Sequence, residues 1–304
     1  TSGAPAPSLA TMIRDPLLKR TLYRKSVSNT FSADGAAGAN CGGYRWIEEQ
    51  RQGAEWIVRG TATDRPDWIA LGWSQLDWGL RHQLPDGSFA SEDGFHSTSF
   101  FVEALARACL LDASGASRTR VDGLARAAHW LMLPEIEGPG ARHNQPFTHR
   151  RYILAAAFGQ SARVTGERQF ALRAEAWATE GLSLQEADGT NPEKGGLDIS
   201  YQMVGVLMAL RYLPVCGDAG LRAQLRGMIR RATVRDLTHL EADGSIDAEG
   251  STRIGHERSR AGVVKTVAYG EILQALVFGA LALPEPKWLE PAQRIASFKR
   301  WDRA

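Results

Sequence analysis

The sequence is poor in cysteine and lacks any long apolar run. Its three cysteines, Cys41, Cys109 and Cys216, are far apart and show no CxxC or Cys/His spacing, so neither a disulfide framework nor a zinc site is indicated. Cys109 and Cys216 lie in apolar helical contexts, which predicts buried thiols, whereas the context of Cys41 leaves its state open. No apolar segment approaches the roughly 20 residues of a membrane-spanning helix, so no membrane partner is expected.

The sequence also lacks an excess of charge of either sign. Its 36 Lys and Arg residues against 34 Asp and Glu residues give a formal net charge of +2, which provides no overall basis for binding nucleic acid. Arginine greatly outnumbers lysine. A GC-rich coding sequence explains this bias, which also suits bidentate recognition of carboxylate or sulfate groups. We expect no nucleic-acid partner, no obligate protein partner and no cofactor.

Strand-like alternation is nearly absent, and helical periodicity dominates beyond the first 43 residues. The predicted helices span roughly 44–59, 67–83, 97–112, 120–133, 148–165, 168–186, 199–213, 219–236 and 264–282. Residues 11–30 are basic and partly helical in pattern, and the tail is short and polar. No change in composition marks a second domain, so we expect a flexible or extended lead over 1–43 and one catalytic domain over 44–304. The Ala/Pro-rich start is typical of a mature secreted or periplasmic chain.

One pattern occurs three times: an Asp-Gly-Ser or Asp-Gly-Thr turn, a polar stretch, and an apolar helix. The copies begin at Gln83, Gln185 and Leu240, and their helices follow at 100–105, 201–210 and 269–276. A repeated unit of this kind cannot bury its apolar face alone, so neighbouring units must stack. The glycine after each aspartate is expected in the left-handed region. The pattern predicts an all-α fold, an (α/α) toroid or incomplete barrel of stacked helical hairpins, with its turn loops at one mouth.

Polar residues concentrate in four segments at loops or helix starts. Three of the four follow a repeated Asp-Gly turn, so the repeat should bring them to the same face. The segments are 91–96, 142–152, 191–201 and 251–260.

An asparagine, a histidine and a tyrosine in these segments suit β-elimination from a uronic acid. The proton on C5, beside the carboxylate, is poorly acidic until the carboxylate is neutralised by an amide such as Asn144 or by an arginine. A neutral histidine such as His149 can then remove the proton. The hydroxyl of Tyr201 can protonate the leaving glycosidic oxygen, or Tyr201 can act as the base in a syn elimination. This chemistry needs no metal.

These residues resemble the α/α-toroid polysaccharide lyases, the group that contains alginate, chondroitin, hyaluronate and heparin lyases. An Asn, one or two His, a Tyr and an Arg recur in that group. Asn144 and His149 match its helix-start pair, and Tyr201 matches its tyrosine after an Asp-Gly turn, about fifty residues later. The chain departs from the pattern because His143 precedes Asn144 instead of following it, which leaves His143 or His149 open as the base. Many such enzymes carry a C-terminal sheet domain, and the pattern of this sequence predicts none.

The resemblance implies a lyase that cleaves an acidic, uronate-containing polysaccharide or oligosaccharide. We assign catalysis to Asn144, His149, Tyr201 and Arg258. The residues assigned to substrate binding are His143, Arg150, Lys194, His96, Arg253, His256, Arg260 and Trp73. Each residue also has an ordinary interpretation as a helix cap, a core aromatic or a solvated charge.

Other functions remain open at this point. A glycoside hydrolase on the same scaffold would use a carboxylate pair, for which the sequence offers Glu92, Asp93, Glu193, Asp198, Glu249 and Glu257. A non-catalytic glycan-binding module would use the same arginines and tryptophans. The turn at Gln83 also resembles a terpene-cyclase repeat, but no acidic cluster for that chemistry is present. His96 and His256 have acidic neighbours that suit a metal, without a diagnostic spacing.

Overall fold

The computed structural model describes residues 5–28, 31–38, 45–259 and 262–303. In this part of the chain the regular structure is helical, and β-pairing is confined to isolated bridges. The all-α prediction is confirmed. The helices are α1 Leu9–Met12, α2 Pro16–Arg20, α3 Arg45–Gln50, α4 Gln52–Thr63, α5 Pro66–Arg81, α6 Gly94–Leu111, α7 Arg118–Leu131, α8 Pro134–Asn144, α9 Thr148–Thr165, α10 Arg168–Ser183, α11 Ile199–Tyr212, α12 Ala219–Leu237, α13 Tyr269–Ala282 and α14 Leu289–Phe298.

Most predicted helices are present, and the differences have local causes. The predicted helix over 44–59 is divided into α3 and α4, and α13 begins at Tyr269 rather than at 264. Helix α8 was not predicted, because Pro139 and two neighbouring glycines lower its helix propensity. Packing compensates for this: Glu137 forms an ion pair with Arg173, and Gly140 lies against the Phe95 ring. Helix α14 in the polar tail was also not among the predicted helices, and it buries Ile295 and two alanines.

The chain divides into two compact units. Unit 1 contains the described residues of 1–22, 145–155 and 175–304, and unit 2 contains those of 23–144 and 156–174. In unit 1, α13 packs against α11 and α14 and also contacts α1 and α2. Met12, Ile13 and Leu18 are fully buried there, so part of the predicted lead is helical and packed.

Helix α6 is the central element of unit 2, where α3, α4, α7 and α8 all pack against it. Its buried pair of Glu103 and Arg107, joined at 2.9 Å, is extended by an ion pair from Arg107 to Glu55. Pairing is needed because an isolated charge is costly to bury. Helices α4 and α5 approach closely because Gly53 and Gly72 meet at their contact, where a Cβ on Gly53 would lie 2.6 Å from the Gly72 carbonyl oxygen.

The three repeated turns adopt the same backbone geometry. Their glycines have φ angles of +93°, +94° and +89° at Gly87, Gly189 and Gly244, which confirms the left-handed prediction. In the second copy, Asp188 accepts a 2.9 Å hydrogen bond from the Thr190 N–H. A Cβ on Gly189 would lie 2.6 Å from the carbonyl oxygen of Arg231 on α12, so only glycine allows the turn to approach this helix.

A glutamine and an arginine hold the second turn in place. The Gln185 amide donates to the carbonyls of Gly189 at 3.2 Å and Met228 at 3.1 Å. The Arg231 guanidinium donates to the Gln185 oxygen at 2.6 Å. The first copy repeats this arrangement with Gln83 and Arg126. The repeat therefore joins each turn to the helix that it approaches.

Two further expectations can be compared with the described residues. Cys109 and Cys216 are free and buried, as predicted, and burial raises the pKa of Cys109 to about 12. Cys41 lies outside the described residues. Among the described helices, none is both long enough and apolar enough to cross a membrane.

Candidate functional site

Several of the polar side chains picked out from the sequence meet in unit 1, at the start of α9, the turn before α11 and the loop before α13. We call this group the His149 cluster. Its members are Phe147, His149, Arg150, Glu193, Lys194, Tyr201, Arg253, Glu257 and Lys265.

The backbone around residue 193 brings the first two segments together. Glu193 pairs with Phe147 in an antiparallel bridge, and the Lys194 N–H donates to the Pro146 carbonyl at 2.7 Å. The chain then turns sharply, with φ of +53° at Lys194 and +83° at Gly195. A non-glycine residue in the left-handed region is uncommon and strained. The strain is held by hydrogen bonds on both sides of the turn.

Asp198 joins the third segment to the other two. One carboxylate oxygen caps α11 by accepting the Tyr201 N–H at 3.0 Å. The other oxygen accepts the N–H groups of Arg253 at 2.9 Å and Ile254 at 3.0 Å. The Thr252 hydroxyl donates to the Glu193 carbonyl at 2.7 Å. These hydrogen bonds fix the backbone positions from which the side chains of Tyr201 and Arg253 extend.

His149 is buried in the centre of the cluster, with 3% of its surface exposed. Its Nδ1 lies 2.8 Å from Glu193 Oε1, and its backbone N–H donates to the same oxygen at 2.8 Å. Burial lowers the pKa of His149. Glu193 acts in the opposite direction and raises it, whereas the charges of Arg150 and Arg253 lower it further. His149 is therefore biased toward the neutral imidazole, the form that can accept a proton.

Tyr201 lies between the histidine and two cations. Its ring centroid is 4.7 Å from that of His149. The guanidinium carbon of Arg253 is 3.6 Å from the same centroid, and Lys265 Nζ is 4.9 Å from it. Tyr201 is half-buried, so it can meet a ligand from solvent.

Arg253 is almost fully buried and held on several sides. Its Nε donates to Glu257 at 3.0 Å, its Nη1 lies 3.5 Å from Glu193 Oε2, and its guanidinium also faces Phe147, 4.9 Å from the ring centroid. A guanidinium stays charged at any ordinary pH. The cluster therefore contains a permanent positive charge in contact with Tyr201.

Glu257 gathers the cations at the outer side of the cluster. It forms ion pairs with Lys194, with Lys265 at 2.6 Å and with Arg253 at 3.0 Å. Burial alone would raise the pKa of Glu257, but the hydrogen bonds from Lys194, Lys265 and Arg253 lower it to about 2. Three cations therefore surround the one carboxylate of Glu257, so the local charge at this side of the cluster favours an anionic ligand.

The structure brings five of the assigned residues into this cluster: His149, Arg150, Lys194, Tyr201 and Arg253. Arg258 and His256 belong to unit 1 but point elsewhere in the loop. The Arg258 guanidinium donates to the Gly262 carbonyl at 2.7 Å, and His256 is exposed. Arg260 lies outside the described residues.

The other four assigned residues belong to unit 2. Asn144 is buried at the end of α8, not at the start of a helix. His143 is exposed, with Nε2 3.4 Å from Asp93, and His96 is buried in the first turn of α6. Trp73 is buried and donates to Asp112 at 2.7 Å. The assignment of these four residues to the site stays a prediction.

The sequence analysis assigned no role to two members of the cluster and considered two others only for alternative functions. Phe147 and Lys265 were not assigned a role, although Phe147 lies within one of the polar segments. Glu193 and Glu257 were considered as hydrolase carboxylates, and Glu257 also as an acidic neighbour of His256 in a metal site. Their hydrogen-bonded cations could not be inferred from the sequence, because Lys194 and Lys265 are 71 positions apart.

No known family model and no curated protein sequence matches this chain. Fourteen solved chains are similar to it, among them the following three. Unsaturated glucuronyl hydrolase from Bacillus sp. GL1, described as responsible for glycosaminoglycan degradation, has a TM-score of 0.61 and 12% identity, covering 96% of this chain and 82% of its own. D-mannose isomerase has a TM-score of 0.53 and 10% identity, with coverage of 97% and 88%. A Listeria innocua protein has a TM-score of 0.56 and 10% identity, with coverage of 82% and 74%.

The chain has the α/α-toroid fold. This confirms the fold class predicted from the repeated turns. Identities of 10 to 12% carry the likeness no further than the fold, since one scaffold can host unrelated reactions. Function has to be argued from the side chains of the His149 cluster.

Proposed function

We propose that the protein is a polysaccharide lyase that cleaves a uronate-containing acidic glycan by β-elimination. The observation that carries this proposal is the contact of Tyr201 with both a buried histidine and a buried arginine, at ring and guanidinium distances of 4.7 Å and 3.6 Å. A base, a phenolic hydroxyl and a fixed cation are the groups that this reaction needs. The likeness of the fold to enzymes named for reactions on sugars supports the proposal.

The reaction would proceed through the substrate carbon beside the carboxylate. Neutral His149 removes the proton from C5, and the electron pair is delocalised into the carboxylate as an enediolate. Arg253 and Lys265 stabilise the negative charge that develops there. The pair then forms the C4–C5 double bond as the C4–O bond breaks. The Tyr201 hydroxyl donates its proton to the leaving glycosidic oxygen and is reprotonated from solvent.

The substrate class follows from the charge of the cluster. Lys194, Lys265 and Arg253 all pair with the single carboxylate of Glu257, and Lys194 is exposed at the edge. A polymer that carries a carboxylate on each sugar supplies the missing negative charge. A polymeric substrate of this kind also agrees with a secreted or periplasmic location, which belongs to the same proposal.

A glycoside hydrolase is the second candidate, because one protein with a similar fold is a glucuronyl hydrolase. That reaction needs a protonated carboxyl group as general acid, which requires a raised pKa. In the His149 cluster, the three cations around Glu257 lower its pKa to about 2. Glu193 is fully buried and accepts hydrogen bonds from His149. With its pKa lowered in this way, Glu257 is not suited to act as the proton donor of a hydrolase, which favours the lyase.

The test is to incubate the protein with alginate, glucuronan, hyaluronan, chondroitin and heparan sulfate. Two signals are followed together: ultraviolet absorption of a conjugated unsaturated uronate, and new reducing ends. Both signals in equal amounts on any polymer support the lyase. Reducing ends without the absorption would overturn it in favour of a hydrolase. Saturable binding with neither signal would indicate a glycan-binding module.

A further inference from the structure

Glu193 occupies a position that the proposed reaction does not by itself require. It is fully buried, it forms the β-bridge with Phe147, and its two carboxylate oxygens face different partners. Oε1 lies 2.8 Å from His149 Nδ1, and Oε2 lies 3.5 Å from Arg253 Nη1. One carboxylate therefore contacts both the histidine and the arginine that flank Tyr201.

We propose that Glu193 is a positioning residue that holds His149 as the Nδ1-protonated tautomer, so that Nε2 is the atom that takes the substrate proton. It also holds Arg253 against the face of Tyr201. The catalytic consequence of this inference rests on the proposed function. The tautomer of His149 and the position of Arg253 do not depend on it.

The tautomer follows from the chemistry of the carboxylate. An ionised carboxylate can only accept hydrogen bonds, and Glu193 Oε1 already accepts the backbone N–H of His149. The short contact with Nδ1 is attractive only if Nδ1 carries a hydrogen. In the neutral imidazole the lone pair is then on Nε2. Nε2 is therefore the nitrogen that can accept the proton of the substrate.

The second contact explains why Arg253 does not move away from Tyr201. Its Nε is bound by Glu257, and its Nη1 faces Glu193. With a carboxylate at each side, the guanidinium plane is held in one orientation over the ring. Because a guanidinium recognises carboxylates through a rigid set of donors, its orientation decides which substrate oxygen it can reach.

The charges around His149 come from three elements. Glu193 precedes α11, Arg150 is the next residue on α9, and Arg253 lies in the loop before α13. Tyr201, on α11, contributes its ring. Glu193 is the negative group that acts most strongly on His149, and it opposes the effects of burial and of both arginines. Its loss should therefore make His149 a weaker base.

Two substitutions separate the parts of this role. Glu193→Gln keeps a hydrogen-bond acceptor for Nδ1 but removes the charge. Glu193→Leu removes both at similar volume. Glu103→Gln is the matched control, because Glu103 is equally buried and bound to an arginine, Arg107, at 2.9 Å in unit 2. Glu103→Gln should change stability without changing His149.

The experiment measures the ¹⁵N shifts of the His149 ring by NMR as the pH is varied, with the resonance assigned from His149→Gln. In the wild type, Nδ1 should be protonated and Nε2 unprotonated. Glu193→Gln should keep this tautomer with a lower apparent pKa, and Glu193→Leu should show mixed tautomers. In the lyase assay, kcat should fall about 10-fold in Glu193→Gln and about 100-fold in Glu193→Leu, with KM changed less than about 3-fold. The acidic limb of the kcat profile should move to lower pH in Glu193→Gln.

The possible results distinguish this inference from the function on which it rests. A wild-type His149 protonated on Nε2, or shifts that are the same in Glu193→Leu, would overturn it. The inference would also be overturned if the acidic limb of the kcat profile did not move in Glu193→Gln while the stability of that variant fell as much as in Glu103→Gln. If the tautomers are as expected but the protein produces no unsaturated uronate, the positioning role of Glu193 is supported and only the proposed lyase activity is contradicted.

Discussion

The guanidinium of Arg253 lies over the ring of Tyr201, with its central carbon 3.6 Å from the ring centroid. These two residues are 52 positions apart, and Asp198 joins them by accepting the backbone N–H groups of both. The contact places a permanent positive charge beside a half-buried hydroxyl-bearing ring. A cation–π contact of this kind contributes about 0.5–2 kcal/mol, so Arg253 and Tyr201 are expected to keep this arrangement when substrate binds.

Removing the Tyr201 hydroxyl should stop the reaction without unfolding the protein. Tyr201→Phe keeps the ring contacts with His149 and Arg253, so the melting temperature should stay close to that of the wild type. The kcat should fall at least about 100-fold, because a general acid contributes about 10²–10⁴-fold. The measurement is the initial rate of unsaturated uronate formation.

The matched control for this substitution is Tyr269→Phe. Tyr269 is the first residue of α13, and Tyr201 likewise lies in the first turn of α11. The Tyr269 hydroxyl accepts the Ile246 N–H at 3.2 Å. Tyr269→Phe should keep its activity within about 2-fold and lose about 1 kcal/mol of stability, the usual contribution of one hydrogen bond. Equal loss of activity in both variants would contradict a chemical role for Tyr201.

Lys265 should contribute to binding of the polyanion rather than to the chemical step alone. Its Nζ is 4.9 Å from the Tyr201 centroid, and Lys299 Nζ is 5.0 Å from the Tyr269 centroid. Lys265→Met should raise KM for the acidic polymer about 10-fold and weaken the dependence of KM on salt. Lys299→Met, at the corresponding tyrosine of the next repeat, should leave both unchanged. A KM that is the same in the two variants would remove Lys265 from the binding site.

Asp236 should destabilise the protein at neutral pH. It is buried on α12, where Gln202 donates to it at 3.3 Å. Burial, and next the charge of Asp198, raise the pKa of Asp236 well above its ordinary value. Because this pKa is higher in the folded than in the unfolded state, protonation of Asp236 stabilises the fold. The stabilisation is complete below the unfolded-state pKa and is lost as the pH rises through the folded-state pKa.

Asp236→Asn should therefore raise the free energy of unfolding by about 1–2 kcal/mol near pH 7 and by much less near pH 3.5. Asp188→Asn is the control of opposite sign, because backbone and side-chain hydrogen bonds from Thr190 lower the pKa of Asp188. It should destabilise near neutral pH and lose this effect as the pH falls. Urea denaturation at both pH values measures the two differences, and equal destabilisation by Asp236→Asn at both would contradict the expectation.

Gly189 should be far less replaceable than a glycine of similar conformation elsewhere. Gly189 and Gly166 have φ angles of +94° and +80°, but a Cβ on Gly166 would have no atom within 4 Å, whereas one on Gly189 would meet Arg231. Gly166→Ala should cost about 1–2 kcal/mol from the left-handed backbone. Gly189→Ala should cost a further ~1–3 kcal/mol from the clash. Similar losses in the two variants, measured by urea denaturation, would show that the turn does not need its close approach to α12.

The site shows where prediction from the sequence ends. His149, Lys194, Tyr201 and Arg253 were each assigned from the sequence, because they lie in polar segments at a helix start or after a repeated turn. Their mutual contacts were not predictable, since they depend on Asp198 and on the strained turn at Lys194. Arg258 was assigned to catalysis over Arg253 because several arginines in one loop look equivalent in a sequence, and only the backbone path distinguishes which of them faces Tyr201.

The sequence by itself determined the helical class, the repeated Asp-Gly turn and the positive φ of its glycines, because hydrophobic periodicity and backbone sterics act over a few neighbouring residues. The tertiary structure alone decided that α8 is helical despite Pro139. It also decided that Glu193 joins His149 to Arg253 and that Glu257 gathers cations from two loops. These features depend on side chains distant in the chain that come into contact on folding, and their free energies arise from burial and charge pairing that no local pattern records.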